Sequence, residues 1–413
     1  MGTDYDDEPY PLKKTTEADL RALSQVLWEW HDCPAATGSA SSCGETCPWS
    51  RFGKLVHFHA FYKRLAASYV PSMEYGYAPA LRCHSDLFDI VKCLKEQPDE
   101  SRTQLILQYF DARHRTNTPK PPPPEDQTRA FSLAAQVVTM VRCSDESVDI
   151  SVLELSTQPI PWPGEMSISQ FLLSAFPLAS PLSLASPRRT KEILDARSLL
   201  SAEAIVKIGQ LRLQPTDDIR SHLSLDAKAG TVRIYQHMSV LNEHLRATKS
   251  LSDQATIADT IRVGNMPRQL ALEVLDSIHT ILFPAWSKSH DMLQDLVAKG
   301  TFNQDMLQLA ARDIRRHKGE SEGEYRYLAS KLRDLLEEVK NPTPRGRFQQ
   351  WFERRVAQRY FMMATIGGLL VAIILGVLSL GVGIFQAWLA YMAWKFPATS
   401  DVATSSAPTS SAS

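Results

Sequence analysis

The sequence predicts a mainly α-helical protein in which a helical cytosolic domain, with a small winged-helix-like α+β module, precedes one C-terminal transmembrane helix. Three observations lead to this fold class. Apolar residues recur at helical spacing in residues 15–115 and again after Pro267. Residues 188–249 show the order helix, strand, helix, hairpin. The run from Tyr360 to Trp394 contains no charged residue.

Composition and charge are those of an ordinary folded chain. Of the 413 residues 44% are apolar, and 45 Lys and Arg nearly balance 46 Asp and Glu, which gives a formal net charge of -1. No overall field therefore favours nucleic acid or acidic ligands. The N-terminus lacks the apolar run of a secretory signal peptide, and the six cysteines therefore indicate reduced thiols. We expect the domain to stay in the cytosol.

The first block, residues 1–117, is predicted to be a small helical bundle. Thr15 or Thr16 can cap its first helix, whose apolar face consists of Leu20, Leu23, Leu27 and Trp30. Segment 118–126 has a run of prolines, which favours an extended linker and marks a domain boundary. Segment 127–187 is predicted to be partly helical and partly irregular, because prolines interrupt its helical spacing.

Residues 188–249 have the element order of a winged helix, with a hairpin that turns at residues 227–230. Fold order alone does not give function. Asp217 and Asp218 fall in the segment that would be the recognition helix, where their charge would repel phosphates. Nucleic acid is thus an unfavoured partner. A protein-interaction or structural module is the favoured interpretation, and a membrane-tethered nucleic-acid binder is an alternative.

Residues 250–345 are predicted to be helical. Pro267 suits the first turn of a helix, and one apolar face follows it, formed by Leu270, Val274, Leu275, Ile278 and Ile281. Gly300 is predicted to end the next helix as a C-cap residue. Segment 346–394 is predicted to be one juxtamembrane and transmembrane helix.

The C-terminal apolar run predicts a single-pass, tail-anchored protein in a lipid bilayer, because about 20 apolar residues suffice to cross its core. Trp388, Tyr391 and Trp394 are predicted to lie at a membrane interface as an aromatic belt. The basic residues before the span are Arg345, Arg347, Arg354, Arg355 and Arg359, whereas only Lys395 follows it. This asymmetry predicts a cytosolic N-terminal domain, and a lumenal or extracellular tail at 395–413 that is disordered.

Small residues recur every fourth position along the predicted span. The stripe consists of Ala364, Gly368, Ala372 and Gly376, and Gly383 continues it. Such spacing lets helix backbones approach closely, so the stripe predicts a helix-helix contact in a homo-oligomer or with a partner membrane helix. Because Gly and Ala are frequent in any membrane helix, ordinary composition is the alternative explanation.

No recognisable catalytic motif occurs in the sequence, so no enzyme activity and no cofactor are predicted. The best candidate metal ligands are Cys33, Cys43, Cys47, His57 and His59, but their spacing is poor for zinc. Cys83 next to His84 is a weak nucleophile pair, because adjacent side chains rarely point at one another. A metal-dependent or thiol enzyme in the N-terminal block is therefore an alternative to an interaction or scaffold domain.

Several stretches resemble a large family of uncharacterised filamentous-fungal membrane proteins. They include residues 267–284, TFNQDMLQLA at 301–310 and the C-terminal stretch 341–397, together with HFHAFY at 57–62 and PWPGEMSISQFLLSAFP at 161–177. The resemblance covers most of the chain. It implies a fungal origin and a single C-terminal transmembrane helix, and it brings no activity and no functional residues.

Overall fold

A computed structural model describes residues 11–31, 33, 47–72, 77–114, 121–144, 159–184, 191–252, 255–308, 316, 320, 323–343, 345 and 347–395, with the backbone alone at 191–194 and 347–366. The chain divides into two units, Met1–Thr343 and Pro344–Ser413. Both units are mainly helical in their described parts, as the sequence predicts.

Helices make up most of the first unit. They are α1 (Glu17–Trp28), α2 (Val56–Ala67), α3 (His84–Glu96), α4 (Arg102–His114), α5 (Pro124–Thr139), α6 (Ile168–Ala175), α7 (Lys191–Leu199), α8 (Ala202–Lys207), α9 (Met238–Ala247), α10 (Ile257–Val263), α11 (Arg268–Asp276), α12 (Lys288–Ala298) and α13 (Ala329–Lys340). Short 3-10 helices lie at Pro48–Leu55, Ile219–Ser221, Thr248–Ser250 and Gln304–Leu307, and a π-helix, Ser277–Leu282, continues α11. The second unit contains α14 (Arg347–Lys395).

Helix α1 forms where the sequence predicts it. The Thr16 hydroxyl accepts a hydrogen bond from the Asp19 N–H, and the Asp19 carboxylate accepts one from the Thr16 N–H at 2.8 Å, which is a capping box. Glu29 ends the helix with a left-handed backbone, φ 53°. The predicted apolar face, Leu20, Leu23, Leu27 and Trp30, is buried.

The proline-rich segment leads directly into a packed helix. Pro123 has an extended backbone, with φ -57° and ψ 145°, and Pro124 is the first residue of α5. Pro is favourable there because the first helical N–H has no partner within the helix. Helix α5 packs against α2, α3 and α4, so the helices on the two sides of the segment belong to the same unit.

The described strands are short and form three small sheets. Strand β1 (Cys143–Ser144) pairs in parallel with β2 (Ile160–Pro161), and β3 (Leu182–Ser183) pairs antiparallel with β7 (Glu324–Tyr325). The third sheet has the order β4-β6-β5, formed by β4 (Arg212–Thr216), β5 (Leu225–Asp226) and β6 (Thr231–Tyr235). The predicted hairpin between β5 and β6 is confirmed, and β4 lies parallel to β6 with Thr216 opposite Tyr235.

The winged-helix-like arrangement is not confirmed. The segment expected to be a recognition helix is only the three-residue 3-10 helix Ile219–Ser221, too short to fill a major groove. The physical reason is local. Asp218 is buried, and its carboxylate accepts the Arg220 N–H, which caps the turn instead of starting a longer helix. Asp217 is directed towards His237 and Arg64.

Two buried carboxylates cap helices that lie far away in the sequence. Glu273 on α11 is 1% exposed and accepts the N–H groups of Arg326, Tyr327 and Leu328, at the start of α13. Asp305 accepts the N–H and the hydroxyl of Ser239 at the start of α9. Neither helix has a capping side chain at its own N-cap position, so these carboxylates satisfy donors that would otherwise be buried without partners.

Candidate functional site

The strongest functional feature is the apolar part of α14. Gly367–Lys395 is 29 residues long and has no buried residue, and an 18-residue stretch within it has a mean hydropathy of 2.6. At about 1.5 Å per residue it is roughly 43 Å long, more than the ~30 Å core of a bilayer. The structure therefore contains one described helix that is long and apolar enough to cross a membrane.

The side chains of this helix meet no protein surface within the described residues. The exposed fractions of its large apolar side chains range from 37% at Met392 to 78% at Trp394. The helix also runs without interruption through Gly381 and Gly383 to Lys395. An apolar helix with every face exposed is what a helix solvated by lipid presents.

The small-residue stripe lies on this open surface. A Cβ atom built on Gly368, Gly376 or Gly383 would have no neighbour within 4 Å, and Ala372 is exposed. The side chain of Ala364 lies outside the described residues. No contact in the described part of the chain therefore uses the stripe, and the helix-helix contact stays a prediction.

The aromatic residues of the predicted belt lie in the last three turns of α14. The rings of Phe385 and Trp388 stack with centroids 6.2 Å apart, and those of Tyr391 and Trp394 are 6.4 Å apart. The Lys395 ammonium lies 5.8 Å from the centre of the Tyr391 ring. Arg354, Arg355 and Arg359 lie on the helical backbone of α14, and their side chains are outside the described residues.

A second feature is a His-Asp pair in the first unit, formed by buried His237 and partly exposed Asp217. Asp217 and His237 follow the carboxyl ends of the parallel strands β4 and β6, the edge at which open α/β sheets bind ligands. His237 Nε2 lies 2.8 Å from Asp217 Oδ1, which also accepts from the Gln236 amide at 2.8 Å. Arg64 on α2 donates to the other carboxylate oxygen at 2.9 Å.

The polar contacts of Asp217 favour its ionised form. Burial favours the neutral carboxyl, but the hydrogen bonds from His237 and Gln236 and the charge of Arg64 outweigh burial and hold its pKa well below the usual range. His237, whose Nε2 lies against this carboxylate, is fully buried. Among the described residues neither His237 Nδ1 nor the Tyr235 hydroxyl, on a ring 5.5 Å away, has a hydrogen-bond partner.

This geometry makes the pair a structural link. It ties α2 to the ends of two strands, and the Ser239 N–H at the adjacent N-terminus of α9 is already bonded to Asp305. The sequence analysis missed the pair because Asp217 was assigned to a helix. The signal was nevertheless present, since a polar residue follows each of the two strands directly.

The predicted metal ligands are not brought together in the described chain. No group of three His, Cys, Asp or Glu residues there could hold a metal ion, and Cys43 lies outside the described residues. His59 is buried with its ring 4.7 Å from that of Phe52. Burial, assisted by the charge of Lys63, lowers the pKa of His59 to about 4, so the imidazole is a neutral part of the core.

Cys83 and His84 do not form a nucleophile pair. The His84 ring is hydrogen-bonded at both nitrogens, to the Tyr62 hydroxyl at 2.6 Å and to the Lys14 carbonyl at 3.2 Å. The Cys83 sulfur lies 3.0 Å from the Ser85 hydroxyl instead. His84 is 5% exposed and part of the core, and this burial lowers its pKa.

Neither feature indicates a family by itself. Long apolar helices occur in many unrelated proteins, and the His-Asp pair is enclosed by structural contacts. The resemblance to filamentous-fungal membrane proteins stays a prediction from the sequence. Comparisons with protein-family models, with curated proteins and with solved structures find no match for this chain.

Proposed function

We propose that the chain is a tail-anchored, single-pass membrane protein whose first unit faces the cytosol as an interaction or scaffold domain. The observation that carries this proposal is the absence of burial over the 29 residues Gly367–Lys395. Apolar helices of soluble proteins cover their apolar face. In the first unit Leu23, Ile90 and Leu270 are 0% exposed.

Insertion energetics support the anchor. A Leu, Ile, Val or Phe at the centre of a membrane helix contributes about -0.3 to -0.6 kcal/mol, whereas one Arg or Asp costs about 2.5 to 3.5 kcal/mol. Residues 367–394 contain many of the first group and no charged residue. The sum favours transfer into lipid over exposure to water.

The flanking charges support the orientation. Arg354, Arg355 and Arg359 precede the apolar run and Lys395 follows it. Basic residues stay preferentially on the cytosolic side, so the first unit is cytosolic and residues 396–413 are on the opposite side.

Contacts of buried and partly buried charged groups support an interaction role. Glu273 and Asp305 cap helices, and Asp217 holds His237 and Arg64. Lys95 donates to the Val26 and Leu27 carbonyls at the end of α1. Because these groups are used to hold helices in place, they favour a domain that presents a surface over one that performs chemistry.

Protease protection of the full chain tests topology. The chain carries one epitope tag at each terminus and is inserted into sealed microsomes. We expect added protease to remove the N-terminal tag and to leave a small protected fragment with the C-terminal tag. Protection of the N-terminal tag would reverse the orientation, and extraction of the whole chain by carbonate would exclude a membrane anchor.

A further inference from the structure

The loop between the π-helix and α12 exposes one tryptophan. Phe283 ends the π-helix and is 2% exposed, whereas Trp286, three residues later, is fully exposed. Its backbone is left-handed, with φ 62°. A bulky residue with positive φ is an outlier that costs conformational energy, and here no packing of the indole offsets the cost.

Hydrogen bonds hold this loop in a fixed shape. The Ser287 hydroxyl donates to the Pro284 carbonyl at 2.5 Å, which closes the turn around Ala285 and Trp286. The same hydroxyl accepts the His290 N–H and caps α12. The indole is therefore held outward on a closed turn.

The loop lies near the end of the first unit. Ser289 on α12 accepts the Glu203 N–H at the start of α8, which is only six residues long. Beyond the other end of α8, Gly209 lies against Val339 in the last turn of α13. Thr343 is the last residue of the unit, and its N–H and hydroxyl donate to Glu338. The chain therefore leaves the unit beside the last turn of α13.

We propose that Trp286 inserts its indole into the headgroup region of the membrane that holds α14. Tryptophan is enriched at that depth, because its ring is apolar and its N–H still finds hydrogen-bond acceptors. Exposed Lys288 follows two residues later and suits anionic headgroups. This inference rests on the proposed membrane anchor.

A lipid surface fits this feature better than a protein partner. A single indole that protrudes from a closed turn needs a deep pocket on a protein, whereas the interfacial region of a bilayer accepts it without a preformed shape. One indole holds a free protein weakly. The first unit and α14 belong to one chain, so insertion of α14 makes a contact between Trp286 and the same membrane effectively intramolecular.

Photocrosslinking of the full chain in vesicles tests the proposal. The photoreactive residue p-benzoylphenylalanine is placed at position 286, at position 388 within α14, or at position 178, in vesicles of phosphatidylcholine and phosphatidylserine. Leu178 is a matched control, because it is 64% exposed and precedes Ala179, which is hydrogen-bonded to Arg326 ahead of α13. We expect lipid adducts at 388 and at 286, with at least fivefold more at 286 than at 178.

The outcomes separate this inference from the anchor on which it rests. Adducts at 388 with equal yields at 286 and 178 would overturn the Trp286 contact and leave the anchor in place. Adducts at 286 with protein instead of lipid would overturn it in favour of a partner surface. Absence of lipid adducts at 388 would overturn the anchor and this inference together. Lys288→Glu should lower the yield at 286 in anionic vesicles only, and an unchanged yield would exclude the headgroup attraction.

Discussion

The two units of this chain differ in whether they bury or expose their apolar side chains. In the first unit apolar side chains such as Phe58, Phe131 and Leu270 are 0% exposed, and buried carboxylates each have several donors. In α14 the apolar side chains are the exposed ones, with Leu380 at 66%. The backbone is helical in both, so helix formation alone does not distinguish them.

The difference lies in which groups each unit leaves for its surroundings. The first unit covers apolar surface and leaves charged side chains outside, which suits water. From residue 367 to residue 394, α14 has no charged residue and satisfies its backbone groups internally, which suits hydrocarbon. The comparison predicts that the two units respond differently to charge, acid and added side-chain volume.

The largest expected effect is the loss of membrane insertion when charged residues are placed in α14. Ile373→Arg with Val377→Arg adds two guanidinium groups one turn apart and should disfavour insertion by roughly 6 kcal/mol. We expect the double variant to move from the carbonate-resistant membrane pellet to the supernatant. Ile373→Leu with Val377→Leu is the matched control and should stay in the pellet. An arginine variant that also stays there would contradict the assignment of this segment as the anchor.

Acid should weaken the first unit and leave the anchoring of α14 unchanged. Burial lowers the pKa of His59 and His279 to about 4 and that of His244 to about 3, against about 6.5 in an unfolded chain. The unfolded state therefore binds protons first as the pH falls below about 6.5. At pH 5 each neutral histidine should reduce the free energy of unfolding by up to about 2 kcal/mol.

The measurement is the Tm of the detergent-solubilised chain at pH 7.5 and pH 5. Burial raises the pKa of Asp305 and Glu273, which stabilises the folded state as the pH falls and so opposes the effect of the histidines. A histidine variant is therefore needed to separate the two effects. His59→Phe keeps the aromatic contact with Phe52 and should make the acid-induced loss smaller. An equal loss in both proteins would show that His59 is not buried and neutral.

A methyl group added at a packed glycine of the first unit should lower stability more than one added at an open glycine. A Cβ at Gly264 would lie 2.3 Å from His244 Nδ1, the atom that accepts the Asn265 N–H. Gly264→Ala should therefore lower the free energy of unfolding by about 1 to 3 kcal/mol. Gly53→Ala, where a Cβ has no neighbour within 4 Å, should change it by less than about 0.5 kcal/mol. Similar denaturation midpoints for the two variants would contradict the close packing around His244.

Larger residues in place of the stripe glycines test whether α14 packs against another helix. Gly368→Ile with Gly376→Ile meets nothing within the described chain, so any effect on association must come from another helix. We expect weaker association in a membrane two-hybrid assay at equal insertion. Leu370→Ile with Leu378→Ile, off the stripe, should associate like the natural chain. Equal signals from both pairs would assign the stripe to ordinary composition.

The smallest expected effect concerns the strained turn at Trp286. Glycine adopts positive φ without steric cost, whereas alanine keeps the strain. Trp286→Gly should therefore be about 1 kcal/mol more stable to denaturant than Trp286→Ala. Equal stabilities would mean that the left-handed backbone is not strained.

Features fixed by neighbouring residues could be predicted from the sequence. The Thr16 cap, the buried face with Leu270 and Ile278, and the end of α12 at Gly300, φ 71°, all depend on residues a few positions apart. The length and composition of the apolar run likewise sufficed to locate α14.

Features that depend on distant partners could not be predicted. The parallel pairing of β4 with β6 brings Asp217 to His237, and nothing local in either segment specifies that pairing. Without it, a polar pair after Thr216 resembles a helix cap, which led to the winged-helix interpretation. The exposed turn at Trp286 also escaped prediction, because a positive φ is unusual for a bulky residue and no glycine marks the position.

Caps supplied across long sequence separations have a consequence for folding. Ser239 is 66 residues from Asp305, and Leu328 is 55 residues from Glu273, so α9 and α13 gain their caps only through long-range closure. Such closure slows folding relative to local contacts. We therefore expect the cap of α9 to form only after residue 305 has been made, and the cap of α13 to form after that of α9.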